Sequence, residues 1–355
     1  MLYKLSKYID KEAFIKNVLA KTQSHKNIIF DSFVSNTCNL HCRHCYFLDY
    51  KPTRTPVTYE RWVQIINECI DNDIKHFHFS GKEPFCDQRI HLLLKKLDTL
   101  KIDNDLFYGL VSNGTSISST KCNELLNGNI SYIEISIEGY NNYDDLIRGG
   151  SHFKRVDNLI CQLDDKSKIN ITSTISETNV ESLIQLFLHM IDKGVSKFNI
   201  APLQIFHKEK IRPIIDISTT TMLNLYTKCY ELLLKLSNKI ENRIDIRICF
   251  SQEQAYKLFM SRNILSNDIE KYIYDGTELI YNIGNHILEI NYPLLHIPYL
   301  SQLVATHDGY IISCADDIHY EDINSISIGN ITDESITQIL EKRRDYIIKY
   351  LTNQL

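Results

Sequence analysis

The chain has 355 residues, with 44 acidic and 39 basic side chains and a formal net charge of −5 at pH 7. No long block of like charge suggests a nucleic-acid-binding arm, and no apolar run approaches the length that spans a membrane. The ten cysteines cluster only once, unlike the disulfide framework of a small secreted domain. We therefore predict a globular cytoplasmic protein with reduced thiols that binds neither nucleic acid nor membrane.

The first predicted elements are a helical lead-in over 1–27 and a β-rich run that ends at the group of cysteines. From there, helical and strand periodicities alternate. The predicted strands are 28–34, 75–79, 106–111, 132–137, 169–175 and 197–200. The predicted helices between them are 57–73, 88–100, 120–126, 153–163 and 180–193. Because helices between successive strands favour parallel pairing through right-handed crossovers, this order predicts an α/β fold, an open or closed barrel.

The pattern changes after Pro202. A long helix is predicted over 218–236 and a strand over 244–250. A hairpin follows over 302–314, with its turn at 307–309, and a final helix begins near residue 333. We therefore predict three regions, which are an N-terminal helical lead-in at 1–27, a barrel at 28–215 and a small α+β C-terminal extension at 216–355.

The group of cysteines, Cys38, Cys42 and Cys45, places three thiols within eight residues directly after the first strand. Such a group favours a soft metal. Zinc in a closed structural site needs a fourth ligand, which His41, His44 or a distant cysteine would have to supply. An iron–sulfur cube held by three cysteines instead leaves one iron open to a substrate or cofactor. The spacing favours the cube, and a zinc-stabilised binding module is the alternative.

The Cys-x3-Cys-x2-Cys spacing, followed by the aromatic Tyr46, resembles the signature of the radical S-adenosylmethionine (radical SAM) superfamily. The resemblance implies a [4Fe-4S] cluster whose open iron binds SAM. It also implies an electron donor such as flavodoxin or ferredoxin, and reductive cleavage of SAM to a 5′-deoxyadenosyl radical that abstracts hydrogen from a substrate. The fold that it implies is a partial (β/α)6 TIM-like barrel.

Three further motifs lie at the ends of later strands, where parallel α/β folds place their sites. Residues 80–84, Ser-Gly-Lys-Glu-Pro, resemble the Gly-Gly-Glu-Pro segment of the family, with Lys82 in place of the second glycine. Residues 112–115 and 135–139 resemble the Thr-Asn-Gly-Thr and Ser-Leu-Asp-Gly segments of the peptide-modifying branch. The alternative for the first motif is an ordinary turn at the end of a strand.

The resemblance implies that these motifs bind SAM, with its ammonium group near residues 80–83 and its carboxylate on Arg148, whose guanidinium can form two parallel hydrogen bonds. The alternative for Arg148 is a surface salt bridge, and for the polar residues of the fifth strand a buried core with one satisfied hydroxyl. The SAM-binding residues that the resemblance implies are Tyr46, Ser80, Gly81, Glu83, Asn113, Ser136, Arg148, Ser173 and Leu203. Thr172 and Thr174, on either side of Ser173, also occupy places where the family lines the adenosine pocket.

The C-terminal segments 308–314 and 328–331 resemble the auxiliary-cluster (SPASM or twitch-like) extension of peptide maturases. That extension carries about seven cysteines in the family, whereas Cys314 is the last cysteine of this sequence. We therefore expect the extension to be degenerate, without cluster ligands.

The motifs favour a ribosomally made peptide or protein as substrate, and the missing cluster ligands favour a redox-neutral reaction such as epimerisation. A thiol would return the hydrogen atom, with Cys314 as the first candidate and Cys86 and Cys249 next. The alternatives are a small-molecule radical SAM enzyme and a cross-link-forming peptide maturase.

Overall fold

The computed structural model describes residues 10–47, 50–203, 217–261, 277–292, 297–319 and 322–354. Within these residues, twelve strands form one sheet. After the helix α1 (Lys11–Lys21), six parallel strands in chain order make its centre. They are β1 (Ile29–Ser32), β2 (His76–Phe79), β3 (Phe107–Ser112), β4 (Tyr132–Ser136), β5 (Ile169–Ile175) and β6 (Lys197–Pro202).

Helices connect these strands, as the alternating periodicity predicts. They are α2 (Tyr59–Asp71), α3 (Gln88–Asn104), α4 (Ser119–Asn127), α5 (Asn142–Arg148), α6 (His152–Cys161) and α7 (Leu183–Asp192). In α2, the Thr58 hydroxyl accepts a hydrogen bond from the backbone N–H of Arg61 and so caps the first turn. Trp62, Ile65 and Ile66, spaced for one helical face, are buried against the sheet. The α/β fold with a partial parallel barrel is confirmed.

The C-terminal part adds strands to both sides of this sheet. On one side, after α8 (Thr219–Leu236), β7 (Asp245–Cys249) pairs parallel with β6. After α9 (Gln252–Ser261), the antiparallel hairpin of β8 (Thr277–Ile283) and β9 (His286–Tyr292) continues the sheet through β9. The sequence analysis assigned no element to 251–291, so it missed α9 and this hairpin.

On the other side, β10 (Gln302–Ala305) pairs parallel with β1 and forms the predicted hairpin with β11 (Tyr310–Ile312). The strand β12 (Gly329–Asn330), the short helix α10 (Ile323–Ile326) and the final helix α11 (Ile336–Gln354) complete this side. The sheet thus extends through the predicted C-terminal extension, and the domain boundary at 215 lies outside the described residues. Among those described, no helix is long and apolar enough to cross a membrane.

Candidate active site

The loops at the carboxyl ends of the central strands surround a cavity of about 770 Å³. This volume lies in the range of about 300–1,000 Å³ that small-molecule sites occupy. Parallel strands bring their carboxyl ends to one edge, so motifs far apart in the sequence meet there. Of the predicted site residues, those that line the cavity are Cys38, Cys42, Cys45, Tyr46, Ser80, Gly81, Glu83, Asn113, Ser136, Arg148 and Leu203.

The three cysteine thiols lie on this cavity, in surroundings that suit thiolate ligands. The backbone N–H of Leu40 donates to the Sγ of Cys38 at 3.4 Å, and Nη1 of Arg148 lies 3.9 Å from the Sγ of Cys42. Burial raises the pKa of Cys42 to about 12 although Arg148 opposes this, and burial also raises the pKa of Cys38 and Cys45. A metal group held here would need the deprotonated thiols, and the N–H donors and the guanidinium would stabilise those thiolates.

Glu83 links the loops that follow β2 and β3. Its buried carboxylate accepts hydrogen bonds from the Ser112 hydroxyl and the Asn113 backbone N–H, both at 2.8 Å, and from the Phe85 backbone N–H at 3.2 Å. Burial raises its pKa, and these hydrogen bonds oppose the increase. The carboxylate is therefore held in one orientation on the cavity wall before any ligand binds.

Gly81 lies at a position that requires glycine. Its φ is +92°, and a Cβ added there would lie 2.9 Å from the ring of Phe33. The neighbouring Lys82, where the family has a second glycine, also lines the cavity. The turn after β2 therefore needs one glycine, not two, to bring its backbone to the cavity.

Arg148 is held on the cavity wall by the buried carboxylate of Glu138. Its Nε and Nη2 both donate to Oε1 of Glu138, the first at 2.9 Å, and Nε2 of His44 lies 3.1 Å from the same oxygen. Burial disfavours the charged form of Glu138, but Arg148 and His44 overcome this and lower its pKa to about 2. The sequence pattern does not predict α5, the short helix that carries Arg148, or the ion pair of Arg148 with the motif residue Glu138.

Ser173 is not among the described residues that line the cavity. Its side chain is buried and its hydroxyl donates to the backbone carbonyl of Ile137 at 2.5 Å, whereas its neighbours Thr172 and Thr174 line the cavity. Successive side chains on a strand face opposite sides, so only the threonines face the cavity. The alternation within β5 was the signal that could have distinguished them.

None of the three candidate hydrogen-atom donors is among the described residues that line the cavity. Cys314 directly precedes Ala315, which does line it. Cys86 is exposed on the 3₁₀ helix Pro84–Cys86, and its Sγ lies 3.4 Å from the Ser116 hydroxyl. Cys249 ends β7. Of the three, Cys314 is therefore the one directly bonded to a residue of the cavity wall.

Three titratable residues of the central strands that were not among the predicted site residues also line the cavity, Asp31, His78 and Glu134. Asp31 accepts hydrogen bonds from Ser80, and Nδ1 of His78 lies 2.7 Å from the hydroxyl of Tyr132. Burial raises the pKa of both Asp31 and Glu134. His78 lies two residues before Ser80, and Glu134 lies two residues before Ser136. Residues two apart on a strand face the same side, so this spacing was a signal in the sequence.

Comparison with known families agrees with this site. Residues 32–199 match the model of the radical SAM superfamily. The chain contains a radical SAM domain. Members of this family use a [4Fe-4S] cluster and SAM. Among the described residues no three His, Cys, Asp or Glu side chains converge on a point where they could hold a single metal ion. The three thiols nevertheless line one cavity of small-molecule size, and thiolates are the ligands that an iron–sulfur cluster takes. In this radical SAM domain, Cys38, Cys42 and Cys45 are the residues that would hold the cluster.

Two relatives match just under half of this chain. The sporulation killing factor maturation protein SkfB of Bacillus subtilis (strain 168) is 27% identical over 46% of this chain and 40% of its own length. Pre-heme d1 synthase of Dinoroseobacter shibae is 25% identical over 48% of this chain and 42% of its own length. The chain thus spans less than half the length of these relatives.

Among solved structures, Streptococcus suis SuiB bound to the precursor peptide SuiA has a TM-score of 0.65. The similarity covers 91% of this chain and 66% of SuiB, at 16% sequence identity. At this identity the likeness establishes the fold alone.

Proposed function

We propose that this chain is a radical SAM enzyme that acts on a ribosomally made peptide or protein. The observation that carries the proposal is one cavity lined by the thiols of Cys38, Cys42 and Cys45 together with Glu83 and Arg148. A peptide substrate is supported by the likeness to a maturation protein, SkfB, and to SuiB, which was crystallised with a precursor peptide. When bound, the cluster and SAM supply a 5′-deoxyadenosyl radical that abstracts a hydrogen atom from the substrate.

The residues of the chain bind and orient these groups. The three thiolates hold the cluster, and the guanidinium of Arg148 offsets their negative charge beside Cys42. The fixed carboxylate of Glu83 accepts from the ammonium of SAM. Because Nε and Nη2 of Arg148 are bonded to Glu138, its Nη1 remains directed toward Cys42 and the cavity, where it donates to the carboxylate of SAM.

Epimerisation of one residue of the peptide is the outcome that we propose for the reaction. A hydrogen atom leaves the α-carbon, and the thiol of Cys314 returns one to the opposite face, since Cys314 directly precedes the cavity residue Ala315. The resulting thiyl then takes one electron and one proton, the electron from a donor such as flavodoxin or ferredoxin. Cys86 and Cys249 are the next candidates. We place this reaction in the cytoplasm.

A small-molecule substrate is the second candidate, supported by the match to pre-heme d1 synthase. Mass spectrometry of the candidate peptide encoded nearest this gene, after co-expression, distinguishes the two. Epimerisation is supported if the peptide made in ordinary water has an unchanged mass and the peptide made in heavy water carries one deuterium at an α-carbon. A product lighter by two hydrogens supports a cross-link-forming maturase instead. No modification of any neighbouring peptide favours the small molecule.

The cofactor assignment has its own test. Anaerobically reconstituted protein should be brown, with about four iron and four sulfide per chain, and should form 5′-deoxyadenosine when dithionite and SAM are added. The triple Cys38→Ala, Cys42→Ala, Cys45→Ala variant should do neither. A colourless wild-type protein with one tightly bound zinc would instead support the zinc-stabilised binding module.

A further inference from the structure

A buried acid–histidine pair lies behind the cavity wall. Asp144 in α5 and His152 at the start of α6 have fully buried side chains, and Oδ2 of Asp144 lies 2.5 Å from Nδ1 of His152. Neither residue is among those that line the cavity in the described part of the chain. The pair must therefore act through the residues that it contacts.

Each member of the pair holds the backbone of a different loop of the site. Nε2 of His152 lies 2.8 Å from the carbonyl oxygen of Asn113, at the end of β3. Oδ1 of Asp144 accepts from the backbone N–H of Glu138, after β4, at 2.8 Å. The pair therefore connects the loops that follow two neighbouring strands, β3 and β4, through hydrogen bonds of fully buried side chains.

The partners determine where the protons lie. A carbonyl oxygen can only accept, so Nε2 of His152 carries a proton and donates it to Asn113. A second proton lies between Nδ1 of His152 and Oδ2 of Asp144, whichever atom it is assigned to. The pair has no net charge, and each of its polar contacts is satisfied, which removes the cost of an isolated buried charge.

The two loops that the pair holds carry contacts to the cluster ligands and to the predicted SAM site. Nδ2 of Asn113 lies 3.8 Å from the Sγ of Cys38, and the backbone N–H of Asn113 donates to Glu83. Glu138 holds Arg148, whose Nη1 lies near Cys42. A shift of the Asn113 loop would therefore disturb its contacts with Cys38 and Glu83, and a shift of the Glu138 loop would move Arg148.

The helix α5 holds Glu138 in two ways. Asp144 and Arg148 are four residues apart, so their side chains share one face of the helix. Asp144 accepts a hydrogen bond from the backbone N–H of Glu138, and Arg148 donates hydrogen bonds to the carboxylate of Glu138. This helix therefore fixes both the position of the loop and the direction of the side chain.

We propose that Asp144 and His152 are positioning residues that set the affinity for SAM by holding the loops of Asn113 and Glu138. The proposal rests on the proposed function in one respect, that SAM occupies this cavity. The hydrogen bonds, rather than the charges of the pair, carry the effect. Variants that keep or break single hydrogen bonds therefore test it.

Two variants separate these contributions. In Asp144→Asn, the amide oxygen still accepts from Glu138 and the amide N–H₂ donates to Nδ1 of a neutral His152, which keeps its bond to Asn113. In His152→Asn, the shorter side chain can still reach Asp144 but leaves the carbonyl of Asn113 without a donor. The first variant should keep the positions of both loops, and the second should release one.

The measurement is SAM affinity by calorimetry on the anaerobic, cluster-loaded protein without reductant, so that SAM is not cleaved. His152→Asn should weaken binding about 10–100-fold with unchanged iron content and circular dichroism, as loss of a supporting hydrogen bond does. Asp144→Asn should stay within about twofold of wild type, whereas Asp144→Ala should resemble His152→Asn. The matched control is His25→Asn, which removes a histidine donor from the carbonyl oxygen of Asn72, 3.0 Å away just after α2, and should leave affinity unchanged.

Unchanged affinity in loaded, folded His152→Asn overturns the proposal, and so does an equal loss in Asp144→Asn and Asp144→Ala. If His152→Asn does not take up iron, the comparison of the two Asp144 variants decides, since only recovery by the amide supports positioning through hydrogen bonds. A loaded wild-type protein that binds no SAM refutes the proposed function and this inference together. Normal wild-type binding with insensitive variants refutes the inference alone.

Discussion

Replacing Glu138 by Gln tests the buried network beside the cysteines. The carboxylate has no exposed surface and accepts from Arg148, from His44 at 3.1 Å and from the backbone N–H of Thr174 at 2.5 Å. Glutamine keeps the size of the side chain and removes the charge. It would therefore leave the guanidinium of Arg148, which is 11% exposed, without its counter-charge.

The expected loss of stability follows from two arguments that agree. Burial disfavours ionised Glu138, but Arg148 and His44 lower its pKa from 4.5 to about 2, and this difference of about 2.5 corresponds to about 3 kcal/mol. Removing one partner from a buried ion pair costs about 3–5 kcal/mol. Because the pKa is lower in the folded protein, this stability is fully present above about pH 5 and is lost as the pH falls from 4.5 through 2.

Denaturation by urea at pH 7 measures the effect, followed by the fluorescence of Trp62, the single tryptophan of the chain, which is 1% exposed. Glu138→Gln should lower the free energy of unfolding by about 3–5 kcal/mol. The control Glu124→Gln removes an exposed ion pair with Lys121 and should cost at most about 1 kcal/mol. Equal losses in the two variants, or a Glu138→Gln loss that persists undiminished near pH 2, would refute the reasoning.

Three further predictions concern the cavity. Glu83→Gln should keep the iron content and weaken SAM binding by about 1.5–3 kcal/mol in calorimetry, because it removes a charge-assisted hydrogen bond; equal affinity would contradict this. Ser173→Ala should leave SAM affinity unchanged, since its hydroxyl bonds Ile137 and not the cavity, and a weakened complex would restore Ser173 to the site. Cys314→Ala should keep 5′-deoxyadenosine formation and give little D-product by chiral amino-acid analysis; undiminished D-product would exclude Cys314 as the donor.

Regular elements could be predicted because their signals are local. The strand predicted over 169–175 has those bounds in the structure, since its alternation and length are both contained in seven residues. Helices that begin after a capping residue, such as Thr58 or Ser218, start within one or two residues of the prediction. The motifs of the site could be predicted for the same reason, since each is a short run at the end of a strand.

What could not be predicted depends on contacts between distant segments. Nothing near Gln302 indicates that β10 pairs with β1, because the pairing joins residues more than 270 positions apart. The helix α5 has seven residues and no side-chain hydrogen bond at its N-cap, so it lacks the local signals of a helix. The contacts of Asp144 and His152 join three separate segments, and only the folded chain brings them together.

The central claim is that the three cysteines on this cavity hold an iron–sulfur cluster that cleaves SAM. The most direct measurement is the yield of 5′-deoxyadenosine from anaerobically reconstituted protein, dithionite and SAM, with iron and sulfide determined on the same sample. We expect about four iron and four sulfide per chain, nucleoside formation, and the loss of both in the Cys38→Ala, Cys42→Ala and Cys45→Ala variants. Nucleoside formation that survives in the triple variant, or a loaded wild-type protein that forms none, would contradict it.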